Sequence, residues 1–151
     1  YDAAKSELRT TYKSERAACD SMSGNAKDIC VETAKGREEV AMAHLEYQYT
    51  AKSSDRAALL KARYEARYEI AEERCDDLGA QQKDVCIAEA KAERDKSKAS
   101  AAAAKDVDEA VEDAQTAAVK ADHKVARERC DTLGGNNKDV CLATARARFD
   151  Q

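Results

Sequence analysis

The sequence predicts an all-α protein, built as an extended, coiled-coil-like bundle of antiparallel helical hairpins that are clamped by disulfides. Three observations support this prediction. The 151 residues include no proline and 32 alanines, and 37% of them are charged, a composition typical of long, closely packed helices. Apolar residues recur at gaps of three and four, which is the period of one helix face. A twelve-residue unit bounded by cysteines occurs three times.

The repeated unit has the features of a tight turn between two helices. It reads CDSMSGNAKDIC from Cys19 to Cys30, CDDLGAQQKDVC from Cys75 to Cys86 and CDTLGGNNKDVC from Cys130 to Cys141, and it holds all six cysteines. Glycine next to a helix end favours a C-terminal cap. Asn25, Gln81 and Asn136 then stand three residues before an aspartate, so we expect them to cap the next helix, Gln81 least well. Each unit is therefore predicted to be a helical hairpin with a loop of two to four residues.

The hairpin brings the two cysteines of each unit within disulfide reach. In one continuous helix they would lie about 16 Å apart, too far to bond. Closing so short a loop stabilises the hairpin by about 3 kcal/mol. Zinc ligation and free thiols are the alternatives. The eleven-residue spacing differs from zinc motifs, and His44 and His123 are the chain's two histidines, so we expect no metal site.

The three units divide the chain into repeats. They are separated by 56 and 55 residues, which indicates a single helical domain with repeats of about 1–52, 53–106 and 107–151. The midpoints near Lys52 and Asp106 allow two arrangements. If the chain turns back at both, six helices form a compact bundle. If it runs straight, residues 26–78 form a rod of about 80 Å. We favour extended helices that associate with another copy.

Six helices follow in order from this division. The first runs from Asp2 to Met22 and the second from about Ala26 to Tyr49. The third has the clearest apolar stripe, formed by Ala57, Leu60, Tyr64, Tyr68, Ala71 and Cys75, with Leu59 beside it. The fourth is rich in small and charged residues. A capping pair, Asp106 and Glu109, precedes the fifth, whose heptad-like series is Val107, Val111, Ala114, Ala118, Ala121 and Val125. The sixth ends near Phe149.

The stripe of the third helix is the predicted interface with other molecules. In the straight arrangement the third and fourth helices form a two-helix half that cannot bury its own apolar side. Leu59, Leu60, Tyr64 and Tyr68 would then need a second copy to cover them. The chain is therefore expected to form homo-oligomers or polymers.

Charge and composition exclude several classes of function. The net charge is −4, and 26 basic and 30 acidic residues are interspersed, so we expect no nucleic-acid partner. No run of about 18 apolar residues occurs, so no insertion into a membrane is expected. No nucleophile with a base and no phosphate loop is recognisable, so we expect neither an enzyme nor a cofactor. Paired cysteines and a first residue that is not methionine favour export to a periplasm or the cell exterior.

The pattern C-D-x-[LM]-x-G-N-x-K-D-[IV]-C within Ala/Lys/Glu-rich helices resembles a family of small exported proteobacterial proteins, sometimes labelled TolA-like on composition. The resemblance covers about Tyr12 to Phe149. The second unit departs from the pattern at Ala80 and Gln81. The resemblance implies a signal-bearing precursor and a periplasmic or extracellular destination, and it implies no activity.

Three functions remain as hypotheses. The first is a structural or interaction protein whose hairpins self-associate, with filaments as one outcome. The second is a periplasmic binding or chaperone-like module that holds partners along the tyrosine and leucine stripe. The third is a metal buffer that uses carboxylates and thiols.

Overall fold

The computed structural model describes residues 1–149 and confirms an all-α fold. Its elements are α1 (Asp2–Ala18), a short 3-10 helix (Cys19–Ser21), α2 (Gly24–Thr50), α3 (Ser53–Cys75), α4 (Ala80–Asp131) and α5 (Gly135–Phe149). Within this part of the chain no β-strand occurs. The structure therefore has five α-helices where the sequence predicted six.

The three hairpin loops have the predicted lengths. They hold two, four and three residues, at 22–23, 76–79 and 132–134. The predicted caps are wrong, because the following helices begin one residue before Asn25, Gln81 and Asn136. Gly24 and Gly135 have φ of +57° and +56°, a left-handed conformation that glycine adopts without cost. The second unit has Ala80 in the corresponding place, and its φ is not positive.

The chain reverses direction at Ala51 and Lys52. Thr50 ends α2, and Ala51 takes the left-handed conformation with φ of 53°. The Thr50 hydroxyl bonds both the Lys52 amide and the Asp55 carboxylate, which fixes the turn. The straight rod over residues 26–78 is therefore wrong, and α3 packs antiparallel against α2.

The contact between α2 and α3 is close because small residues face each other. Gly36 and Ala66 are both buried, and a Cβ at Gly36 would lie 2.9 Å from the Cβ of Ala66. Real Cβ atoms do not approach that closely, so only glycine fits at this position in α2. The alanine and glycine content of these helices thus allows a closer approach than leucine-filled helices would have.

The predicted midpoint near Asp106 does not interrupt the helix that follows the second cysteine unit. Residues 80–131 form one helix of 52 residues that passes through Asp106. Neither glycine nor proline breaks the backbone there, and alanine has the highest helix propensity. The predicted capping pair, Asp106 and Glu109, is therefore not used, and the fourth and fifth predicted helices are one.

The structure divides into two compact units at Asp106, a boundary that coincides with the predicted end of the second repeat. In residues 1–106 the buried apolar side chains include Ala34, Leu59 and Tyr64. In the described part of residues 107–151 the buried residues are Cys130 and Ala145. The single domain of three repeats stays a prediction.

Candidate interaction surface

Each cysteine pair is joined within its own unit, as predicted. The Cα atoms of Cys19 and Cys30 are 5.7 Å apart, and the second and third pairs are 5.7 and 5.5 Å apart. These distances lie in the ordinary range for disulfides. No cysteine is free. The alternatives of zinc ligation through thiolates and of isolated thiols are therefore wrong.

An ion pair accompanies each disulfide across the loop. The aspartate that follows the first cysteine bonds the lysine three residues before the second cysteine, at 2.9, 2.9 and 3.0 Å for Asp20–Lys27, Asp76–Lys83 and Asp131–Lys138. Lys27 holds the pKa of Asp20 below its ordinary value, and Asp76 raises the pKa of Lys83. Exposed pairs contribute little to stability, so their main effect is on loop geometry.

These ion pairs were not predicted from the sequence. The signal for them was present, because aspartate and lysine occupy the same two places in all three units. The lysine was overlooked because the adjacent Asp28, Asp84 and Asp139 were interpreted as cap partners. A shared backbone turn supports the same geometry, since the amides of Met22, Leu78 and Leu133 each donate to the carbonyl of the first cysteine.

A cluster of partly buried charged side chains joins α2 to α3. The Lys35 ammonium lies 2.8 Å from Glu32 and 3.2 Å from Glu69. Its pKa is raised, chiefly by the hydrogen bond to Glu32. Burial and the hydrogen bond with Glu32 raise the pKa of Glu69. Burial also acts to raise the pKa of Glu32, but the hydrogen bonds with Lys35 and Glu69 and the charge of Lys35 together lower it. One cation thus holds two carboxylates together across the helix pair.

The predicted interface on the third helix is largely internal. Leu59 and Tyr64 are only 4% and 8% exposed, so they belong to the core of residues 1–106. Leu60 and Tyr68 are half-buried. The Tyr68 hydroxyl bonds Glu72, and the Arg94 guanidinium of α4 lies 4.5 Å from the Tyr68 ring centre. The prediction assumed a straight chain, whereas α2 packs against α3 after the turn at Ala51. Contact of this stripe with another molecule stays a prediction.

A continuous exposed apolar face lies on α4. We call it the valine strip, and its residues are Val107, Val111, Ala114, Ala118, Ala121 and Val125. Its valines are 62%, 49% and 49% exposed, and every residue from 109 to 122 is exposed. Gaps of four, three, four, three and four keep the six side chains on one face of the helix. The strip has the spacing of a helix-packing face and no cover among the described residues.

Helix α5 covers a different face of α4. Phe149 stacks on His123 with ring centres 5.3 Å apart, and Cys130, one half of the third disulfide, is buried. At 100° per residue these positions lie about 150° around α4 from the centre of the valine strip. The third disulfide therefore holds α5 away from the strip. A shallow groove remains beside the strip, lined by Ala121, Lys124, Val125, Glu128, Arg129 and Thr132.

A second surface feature is a groove between α2 and α3. It has a volume of about 710 Å³ and an apolar floor that includes Val40, Ala41 and Ile70. Arg37, His44 and other basic side chains form its rim. Open on one side, this groove resembles the seam between two helices more than an enclosed ligand cavity.

The described residues hold neither a cluster of metal ligands nor a membrane-spanning helix. Over residues 1–149 no group of three or more His, Cys, Asp or Glu side chains converges as metal ligands would. His44 is exposed, and His123 packs against Phe149. None of the described helices is both apolar enough and long enough to span a bilayer.

The fold and its surface define an all-α protein with disulfide-clamped helical hairpins and an open apolar helix face. No family model, curated protein or solved structure matches the chain. Three intramolecular disulfides are typical of proteins that fold in an oxidising environment.

Proposed function

We propose that the protein is a structural or interaction protein that self-associates through α4, in the periplasm or at the cell exterior. The observation that carries this proposal is the valine strip, an apolar helix face of six residues that the described chain leaves uncovered. Apolar residues at heptad spacing on a helix are covered by another helix in most folded proteins. A second molecule is the source of that helix.

The disulfides and the resemblance support the proposed compartment. Each hairpin is closed by a disulfide, and such pairs persist where the surroundings are oxidising. The family that the repeated cysteine unit resembles is exported. A clamped hairpin also needs little core, which suits a protein whose apolar residues are mainly alanine.

The shape of the strip suits a helix-to-helix contact. Alanine at three of its six positions allows close approach, and the valines between them supply apolar area. Two copies of one helix bury little area, so we expect a weak, concentration-dependent pair. Filaments require further contacts, and electron microscopy of the non-reduced protein distinguishes filaments from discrete particles.

Val111→Lys tests the proposal. Sedimentation velocity over a range of concentrations should show that the original protein associates and that the variant stays monomeric. In the pair, each copy would place a lysine ammonium in the covered apolar face and lose the free energy gained by taking the valine side chain out of water. The dissociation constant should therefore rise by roughly 100-fold.

Thr116→Lys is the matched control, because Thr116 lies on the opposite side of the same exposed segment. It should associate like the original protein, and circular dichroism should show equal helix content for all three proteins. An original protein that remains monomeric at the highest concentration would overturn the proposal.

A binding or chaperone-like module is the second candidate, and the groove between α2 and α3 favours it, because its apolar floor and basic rim suit an acidic apolar segment. In that case the purified protein stays monomeric and binds such peptides. The metal-buffer hypothesis loses its thiol ligands, since all six cysteines are paired.

A further inference from the structure

We propose that the partner on the valine strip is a second copy of α4 that runs antiparallel, with Val111 of one copy facing Ala121 of the other. This inference rests on the proposed function and adds its orientation and register. It follows from how charge is distributed along the exposed segment.

The charges beside the strip change sign along the helix. Residues 107–113 contain four acidic and no basic side chains, whereas residues 120–129 contain four basic and two acidic ones. The intervening residues 114–119 are uncharged. An antiparallel pair therefore brings the acidic end of each copy to the basic end of the other, and a parallel pair brings like ends together.

One side of the strip makes this complementarity specific. By helix geometry, Asp106 and Asp113 lie on the same side as Lys120 and Lys124, about a third of a turn from the centre of the strip. In an antiparallel pair, this side of one copy faces the same side of the second copy. In the register centred on Thr116, Asp113 lies within one residue of the level of Lys120 of the second copy, and Asp106 lies within two residues of Lys124 and of Glu128.

The other side of the strip opposes this pairing. It carries Asp108 and Asp122, which come level with each other in the antiparallel pair. On the first side, the two pairs between Asp113 and Lys120 are attractive, whereas Lys124 and Glu128 act on Asp106 in opposite directions. The two repulsive pairs on the second side balance the Asp113 pairs. The opposed acidic and basic ends of the segment then decide the orientation. In a parallel pair, the first side of each copy faces the second side of the other. Attraction between Asp122 and the lysines of the first side is then offset by repulsion between Asp108 and Asp106. Charge therefore favours the antiparallel orientation.

The apolar contacts fix the register. Centring the pair on Thr116 places Val111 against Ala121, Ala114 against Ala118 and Val107 against Val125. Each of the first two layers contains an alanine, so the helices can approach closely. At the ends of the contact, Val107 reaches the shallow groove beside Ala121 and Val125.

Cross-linking tests orientation and register together. The native cysteines are all in disulfides, so Val111→Cys and Ala121→Cys each introduce the one reactive thiol of their chain. A short bis-maleimide should give covalent dimers in a mixture of the two variants and not with either variant alone. In an antiparallel pair, like positions lie about 15 Å apart along the helix.

The remaining outcomes separate this inference from the proposed function. Cross-links with a single variant indicate a parallel pair and overturn the inference while self-association stands. Association in sedimentation without any cross-link places the contact on another surface, which also overturns the inference. A monomeric original protein overturns both.

Charge reversal gives an independent test with internal rescue. Lys120→Glu should raise the dissociation constant by about tenfold, because it replaces two attractive pairs with repulsive ones. Adding Asp113→Lys to the same chain should restore association, since each lysine then meets a glutamate of the second copy. Failure of the double variant to recover would overturn the antiparallel register.

Discussion

The two compact units, residues 1–106 and 107–151, both contain disulfide-clamped hairpins, but the packing around these hairpins differs. In residues 1–106, α3 packs against α2 and meets α4 through Tyr68 and Arg94, and Leu59 and Tyr64 are buried. In the described part of residues 107–151, one disulfide joins α5 to α4, and beyond the cysteine itself Ala145 is the buried residue. The cysteine unit therefore forms hairpins whether or not a core surrounds them.

This difference shows where the chain keeps an open surface. A helix that lies between two neighbours loses its apolar face to the core, as α3 does. A helix with one short neighbour keeps a face free, as α4 does between residues 107 and 125. The more thinly packed unit is thus the one available for association, and its stability depends more on its disulfide.

Removing the third disulfide should have the largest effect. Cys130→Ser with Cys141→Ser removes about 3 kcal/mol of loop closure from a hairpin that buries little else. We expect the amides of α5 to lose roughly 100-fold protection against hydrogen exchange, because that free energy exceeds what the remaining packing supplies. Mass spectrometry of peptides from residues 135–149 measures it.

The matched control is Cys75→Ser with Cys86→Ser. The same loop closure is lost there, but α3 remains packed through Leu59, Tyr64 and Ala66, so its amides should stay protected. Equal losses of protection in the two variants would show that the units do not differ in their dependence on the clamp.

Substitution at Gly36 tests the close packing that distinguishes the first unit. Gly36→Ala places a methyl group 2.9 Å from the Cβ of Ala66, whose position is fixed by its backbone, so the helices must separate. Overpacking costs about 1–3 kcal/mol, and the gain in helix propensity returns about 1. We expect a net loss of about 1 kcal/mol in urea unfolding. Gly79→Ala has open space around it and should change stability little. A stabilised Gly36→Ala variant would mean that the helix pair is looser than described.

Local signals in the sequence predicted the hairpins, and the long-range arrangement required the structure. The cysteines, the glycines and the loop lengths are determined within twelve residues, so they were predictable. The reversal at Ala51 was not, because a left-handed alanine carries no sequence signal and its position depends on α2 packing against α3. The continuity of α4 was equally hidden, since Asp106 and Glu109 form a capping pattern that the helix does not use.

The burial of Leu59 and Tyr64 within the chain was hidden for the same reason. An apolar stripe shows that a helix face is covered, but it does not show by what. Tyr64 and Val111 belong to stripes of similar spacing, and one is buried within the chain while the other is 49% exposed. The stripe that remains exposed is decided by whether the chain turns back near Lys52 or near Asp106. Those turns depend on contacts between residues far apart in the sequence.

The charge cluster at Lys35 gives the smallest expected effect. Its raised pKa means that the ion pairs stabilise the fold fully below the ordinary lysine pKa of about 10.4 and that this contribution is lost as the pH rises beyond it. Lys35→Met should therefore lower stability at pH 7 by about 0.5 kcal/mol, since these side chains remain partly exposed to solvent.

Acid should reduce the difference between the original protein and this variant. Glu69 has a raised pKa, so it takes up a proton early as the pH falls, and the repulsion from Glu32 that Lys35 normally offsets then disappears. Thermal unfolding at pH 7 and pH 4 measures both effects, with Lys61→Met, an exposed lysine of α3, as the control. A loss that is equal at both pH values would show that Lys35 acts through packing of its alkyl chain. The ion pairs of Lys35 would then contribute nothing to the packing of α2 against α3.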